Sequence, residues 1–156
     1  MQFSSSKRWF GAAAALIGLC GLGLGAFAQT AAQARLDTVT ISAGMQNIRA
    51  EVARTSQQMA TGMMFRREMG THEGMLFAYD GLAVRCFWMK NTLLPLSIAF
   101  IADDGQIVNI ADMQPQSETS HCSTRPVRFA LEMNQGWFAK RHIEAGFRLK
   151  GAPFAP

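Results

Sequence analysis

The chain has 156 residues, 49% hydrophobic and 17% charged, with 15 Lys+Arg, 11 Asp+Glu, 14 Gly, 5 Pro and 3 Cys. That mixture excludes a disordered, collagen-like or coiled-coil protein, and the length favours one folded domain once a targeting segment is removed. From Gln29 onward there are 13 Lys+Arg against 11 Asp+Glu, and no basic run exceeds the pairs Arg66-Arg67 and Lys140-Arg141. A nucleic-acid binder concentrates its positive footprint, so no nucleic-acid partner is expected.

Lys7-Arg8, an apolar Gly- and Ala-rich run from Trp9 to Ala28, and the small-x-small triplet Ala26-Phe27-Ala28 are the three parts of a secretory signal peptide. Residues 1–28 are therefore read as a leader cleaved after Ala28, with Ala32-Gln33-Ala34 as a second acceptable site. An uncleaved span is the alternative for about twenty apolar residues. Gly21, Gly23 and Gly25 weaken such a helix. Leu19 stands where a lipobox requires a small residue, so Cys20 is expected to leave with the leader. The mature protein is expected in the periplasm or secreted, with no stable membrane insertion. Residues 29–35 read as a linker, 36–150 as one β-rich domain and 151–156 as a C-terminal tail.

Cys86 and Cys122 remain. An oxidising compartment permits them to pair, and they can equally be two small buried hydrophobes. Spacing leaves both readings open.

Leu36 to Ile41 and Ile48 to Ala53 alternate apolar and polar side chains, as half-buried strands do, around a turn at Ala43-Gly44. Thr55 followed by Gln58 fits a capping box for a short helix, with Met59 and Met63 on one face and Met64-Phe65 closing it. Met59, Met63, Met64, Met69 and Met75 make the stretch rich in thioethers. Flexible core filler is the first explanation, and a soft-metal site of the monovalent-copper type is the alternative.

Gly74 to Tyr79 is a strand candidate, Asp80-Gly81 a turn signal, and Leu82 to Met89 the next strand candidate. Phe87 and Trp88 are adjacent, so in a strand their rings point to opposite sides. Lys90-Asn91-Thr92 and Pro95 interrupt the pattern. Leu96 to Phe100, Asp103-Asp104-Gly105 and Ile107 to Ile110 make the clearest hairpin. The two acids beside Gly105 suit a solvated turn better than a metal site. Met113 to Arg125 reads as a long loop. Val127, Phe129, Leu131 and Met133 alternate with Arg128, Ala130 and Glu132, a strand with one apolar face. Trp137 to His142 can make a helical turn or two, and Phe147 to Leu149 a last short strand. The expected fold is mainly β: a small antiparallel sandwich or partly closed barrel with one or two short helices, and not a βαβ fold.

Chemical signals are sparse. Gly-x-Gly-x-x-Gly, Walker-type and Gly-x-Ser-x-Gly patterns are missing from the sequence. His121-Cys122 can serve thiol catalysis only if a loop brings the two together, and Glu118, His121 and Cys122 lack a recognised metal-ligand spacing. No catalytic residue, metal ligand or cofactor is assigned. Trp88, Lys90 and Asn91 are the candidate ligand- or partner-binding residues. Lys supplies a point charge, Asn a directed donor, and Trp a ring to cover an apolar group.

The segments Gly62-Met63-Met64-Phe65-Arg66, Gly74-Met75-Leu76-Phe77, Trp88 to Ile101 and Leu131-Glu132-Met133 with Gly136 resemble the uncharacterised bacterial and archaeal family called domain of unknown function 192. The resemblance covers about Val39 to Leu149. It implies a single compact β-rich domain, often exported, with no established enzyme activity. The family usually carries Asp where this chain has Ser97, so no role of that acid carries over. The expectation is an exported binding or accessory domain, more a binder than an enzyme, acting on a small molecule or a periplasmic protein. Its alternatives are a soft-metal binder and a thiol- or metal-dependent enzyme.

Overall fold

A computed structural model describes residues 31–154. The proposed leader and the site after Ala28 lie outside the described residues. Strand β1 (Thr38–Ala43) pairs antiparallel with β2 (Gln46–Ala53), setting Ile41 opposite Ile48. Helix α1 (Ser56–Thr61) follows. Thr55 is its N-cap: the Thr55 hydroxyl accepts from the Gln58 N–H, while the Gln58 amide oxygen accepts from the Thr55 N–H at 3.0 Å. The capping box expected from Thr55 and Gln58 is present, and it satisfies donors that the first helical turn leaves open.

β3 (Glu73–Ala83) lies parallel to β2, with Val52 beside Leu76. Next come β4 (Cys86–Phe87), β5 (Leu96–Ile101), β6 (Ile107–Met113), β7 (His121–Cys122) and β8 (Val127–Asn134). The six-stranded sheet has the order β1-β2-β3-β8-β5-β6, and β4 and β7 form a separate two-stranded ribbon. A 3-10 turn at Ala139–Arg141 follows β8. Among the described residues no helix is long and apolar enough to cross a membrane.

The mainly β class holds, and finer expectations are corrected. The sheet is mixed and open: β1 and β6 are its two edges, so it closes into no barrel. Its parallel pair is a β2-α1-β3 crossover, because residues 54–72 carry the chain over one face before β3 begins at the same end as β2. Asp80-Gly81 does not reverse the chain. Both residues stay inside β3, where the pairing with β8 slips between Ala78 and Ala83. Guanidinium groups satisfy the carbonyls freed by this bulge: Arg128 donates to Tyr79 and Asp80, and Arg85 to Gly81. The strand expected over Leu82 to Met89 shrinks to Cys86–Phe87, and Phe147 to Leu149 contributes to one isolated bridge, at Arg148.

The sheet is covered on both faces. On one, Ile41, Ile48, Leu76, Leu131 and Met133 pack beneath the C-terminal segment through Trp137, Phe138, Leu149 and Phe154. On the other, Met75, Phe77, Ile98, Phe100 and Ala130 pack with Met63 and Met89. All six residues of β5 are buried. β8 sits between β3 and β5, and the two packed layers bury both of its faces, which corrects the expectation of one apolar face. Each large core side chain such as Phe77 or Phe100 stabilises by roughly 1.5–3 kcal/mol through removal from water.

Candidate functional site

β8 places Glu132 on the same face of the sheet as Ala130, and the burial of that face leaves Glu132 only 4% exposed. Its Oε2 has no hydrogen-bond partner. Burial alone pushes its pKa up to about 8, so the carboxyl is mostly neutral at pH 7. It lines a cavity of about 120 Å³. Around it stand the rings of Phe77, Tyr79, Phe87 and Trp88, the thioethers of Met59, Met63 and Met64, and Thr92. A buried polar group without a partner costs free energy, and a lined cavity is where that cost can be recovered by a ligand.

The walls come from three places. α1 ends at Gly62, with φ +48°, where an added Cβ would press 3.2 Å from the Phe77 ring. This close approach brings Met63 and Met64 over β3. Phe87 turns inward, edge-on to Phe77 at 4.8 Å and to Phe100 at 5.9 Å between centroids. Trp88 is 48% exposed and forms part of the rim. The two rings differ in burial as expected, but β4 ends at Phe87 and both rings line the cavity.

The three candidate residues are neighbours but not equivalent. Trp88 lines the cavity; Lys90 and Asn91 do not. Lys90 Nζ stands 5.2 Å from the Trp88 ring centroid and 3.6 Å from Glu118 Oε1, on the solvent side. Asn91 takes φ 57°, and its carbonyl accepts from the Phe65 N–H at 2.9 Å. Asn91 thus pins the segment that carries Met63 and Met64. Thr92 is buried and accepts from the Gln116 N–H at 3.0 Å, which fastens the same loop to the long connection after β6.

Cys86 lies directly opposite Cys122 in the β4–β7 ribbon, and the two form a disulfide. Of the two readings left open by spacing, the paired one applies, and Cys122 is not a free thiol beside His121. His121 pairs with Phe87 across the ribbon. Among the described residues no three His, Cys, Asp or Glu side chains form a metal-binding group. Four of the five methionines pack into one apolar layer, with Met63 and Met75 inside and Met59 and Met69 at its margin; Met64 meets Met59 and Met63 at the cavity.

Ser97 lies opposite Asp112 on β6 and donates to its Oδ1, while accepting from the Gly136 N–H at 2.8 Å. A carboxylate is therefore present one strand away from position 97. These residues line a wider, more open concavity of about 540 Å³ with Phe138 and Ile143. Its acid already has a partner, which the Glu132 carboxyl lacks.

The sequence reading did not single out Glu132. The available signal was an acid in the alternating run Val127 to Met133, flanked by Leu131 and Met133, on a strand long enough to be central.

The chain belongs to the family DUF192, described as Uncharacterized ACR, whose pattern matches residues 38–151. Two crystal structures are similar. One is a candidate transcription regulator from Sinorhizobium meliloti 1021, 34% identical, with TM-score 0.73, over 77% of this chain and 98% of that one. Another is a protein of unknown function from Novosphingobium aromaticivorans DSM 12444, 36% identical, with TM-score 0.71, over 74% of this chain and 86% of that one. No curated protein matches the chain.

Proposed function

We propose that this protein is an exported binding domain that takes a small molecule into the cavity between Trp88 and Glu132. The carrying observation is the Glu132 carboxyl: 4% exposed, unpartnered at Oε2 among the described residues, and lining a cavity walled by aromatic rings, thioethers and the buried Thr61 and Thr92. A structural carboxyl at that depth would be satisfied by its own chain, as Glu51 is. Export rests on the leader pattern in residues 1–28 and agrees with a disulfide between exposed cysteines. In this reading Trp88 covers the ligand, Asn91 holds the methionine wall, and Lys90 tunes the rim.

The candidate-regulator description of one structural neighbour is not carried over. The basic side chains here are dispersed and engaged: Arg35 and Arg66 on Glu51, Arg49 on Glu73, Arg128 by Asp103 and Arg148 by Asp104. Three thioethers beside a Trp give the soft-metal reading its own footing, through Met59, Met63 and Met64.

The test uses protein carrying ¹³C-methyl methionine and a fragment set of neutral, acidic and basic molecules, with monovalent copper as a separate titrant. Shifts confined to Met59, Met63 and Met64 by an organic fragment support the binding reading. Response to copper alone replaces it with the metal reading, and silence at these methyls for every fragment overturns it. Fractionation of expressing cells with N-terminal sequencing tests export and cleavage.

A further inference from the structure

We propose that the cavity selects a cationic amine, a primary or alkylated ammonium group, with the Glu132 carboxylate as its counter-ion inside an aromatic and thioether cage. The inference rests on the binding reading above and names the ligand class of that same site.

The composition of the lining carries it. Of the side chains around the cavity only Glu132 and the Tyr79 phenol can ionise, and both become negative; none is cationic. Four aromatic rings face or border the space, and ring faces attract a cation through their quadrupole. Thioether sulfurs are soft and polarisable and tolerate a diffuse positive charge. An anionic ligand would meet a carboxyl in a medium that strengthens repulsion. A neutral ligand can take one hydrogen bond from the protonated acid and gains nothing from its charge.

Two rings of the cage already stand against cations of the protein that do not line the cavity. The Arg85 guanidinium lies 3.8 Å from the Tyr79 centroid while donating to the Gly81 carbonyl, and Lys90 sits over Trp88. Both cations have other partners, and Lys90 stays in solvent beside Glu118. Salt screens the exposed Lys90 charge, whereas the Glu132 carboxyl is buried.

The groups packed around Glu132 are few. β3 contributes Tyr79, whose own ionisation is opposed by burial, favoured by the Arg85 guanidinium stacked on its ring and opposed to a smaller extent by Glu132. β5 places Ile98 beside it, and α1 with its C-terminal turn contributes Met59, Thr61 and Met63. Among the described residues no cation neutralises the acid from these sides, and a ligand ammonium is free to do so.

Binding then has a proton balance. The free protein holds Glu132 as a carboxylic acid; the ammonium enters with its charge; the carboxyl O–H bond breaks and the proton goes to solvent. The product is a carboxylate paired with the ammonium. Close to one proton is released at pH 7, because Glu132 titrates at about 8 in the free protein. Affinity rises about tenfold per pH unit below that value and levels above it.

The experiment compares choline with 3,3-dimethyl-1-butanol, its uncharged isostere, and adds n-butylamine. Calorimetry in two buffers of different ionisation enthalpy counts protons, and the methionine methyls report the place. Choline or butylamine should bind at least about tenfold more tightly than the alcohol, with release of close to one proton. Glu132→Gln should abolish the release and bring choline and butylamine down to the affinity of the alcohol measured on the same variant. If that variant does not fold, the proton count on the unaltered protein decides alone. Equal binding of the alcohol, no proton release, or a preference that survives Glu132→Gln overturns the inference. A neutral or acidic fragment that shifts the three methyls in place of the amines sinks the ammonium class and spares the binding reading. No response to any fragment sinks both.

Discussion

Arg66 grips Glu51 with both arms of its guanidinium, Nη1 on Oε1 at 2.9 Å and Nη2 on Oε2 at 2.7 Å, and both side chains are buried. Glu51 also accepts from the Leu36 N–H at 2.8 Å and from Arg35 Nη1 at 2.7 Å. Burial would raise the carboxyl's pKa; the Leu36 N–H, Arg35 and Arg66 together outweigh it and hold the group below its ordinary value. The contact ties β2 to the turn after α1 and to the chain entering β1. Arg66→Met removes the buried partner and should cost roughly 3 kcal/mol in urea unfolding, since a broken buried pair leaves a charge uncompensated. A loss under about 0.5 kcal/mol would place the pair among inert surface bridges.

The same carboxylate fixes a sign for acid unfolding. A depressed folded pKa makes the contribution of Glu51 complete above its unfolded value near 4.5 and removes it as pH falls through the lower folded value. Glu73 shifts the same way, through the Gly70 N–H and then Arg49. Glu51→Gln should therefore flatten the acid limb of a stability-against-pH curve below about pH 4.5. An unchanged acid limb would deny Glu51 that role.

Glu132 gives the opposite slope. Its folded pKa of about 8 exceeds the unfolded 4.5, so between them the native state holds more protons than the unfolded chain. Stability falls as pH rises across that window and levels beyond it. Glu132→Gln should remove the fall and stabilise the protein above pH 8 by roughly 3 to 5 kcal/mol. Denaturation midpoints near pH 5, 7 and 9 check this; parallel curves for the two proteins would contradict it.

What the sequence disclosed follows the range of the forces involved. Thr55 with Gln58, and Asp103-Asp104-Gly105 between two alternating runs, are set by neighbours along the chain, and both were legible. That Phe87 is buried deeper than Trp88 was legible as well, although β4 ends at Phe87 and the strand period does not reach Trp88. Periodicity assigned Glu132 to a face of β8 and was silent on whether that face is covered, because coverage comes from α1 and the methionine segment, some seventy residues earlier. The parallel pairing of β2 with β3, and the bulge that absorbs Asp80-Gly81, likewise depend on distant partners.

Cys86 and Cys122 close a loop of 36 residues. Replacing both with Ser should lower unfolding stability by about 2–4 kcal/mol. Hydrogen exchange should rise first in β4 and β7, and reduction of the unaltered protein should have the same effect. Faster exchange spread evenly over the main sheet, with β4 and β7 no worse than the rest, would show that the bridge does not act locally.

Gly74 passes so close to β8 that an added Cβ would lie 2.5 Å from Met133 Sδ and 2.6 Å from the Glu132 carbonyl oxygen. Met133 can move and the carbonyl cannot, so Gly74→Ala should cost about 1–3 kcal/mol through overpacking. A neutral result in thermal unfolding would mean that the strands separate more easily than this spacing allows.

β8 is laced to β3 on one side and to β5 on the other, while Met59, Met63, Met64 and Trp88 belong to a short helix and to loops. The acid is thus mounted on an anvil and the surrounding wall on springs. Under the binding role proposed above, a guest that differs in outline would be accommodated by rotating thioethers, whereas one that misplaces its charge would find a carboxyl that does not follow it. Such a receptacle would discriminate by electrical character and forgive shape.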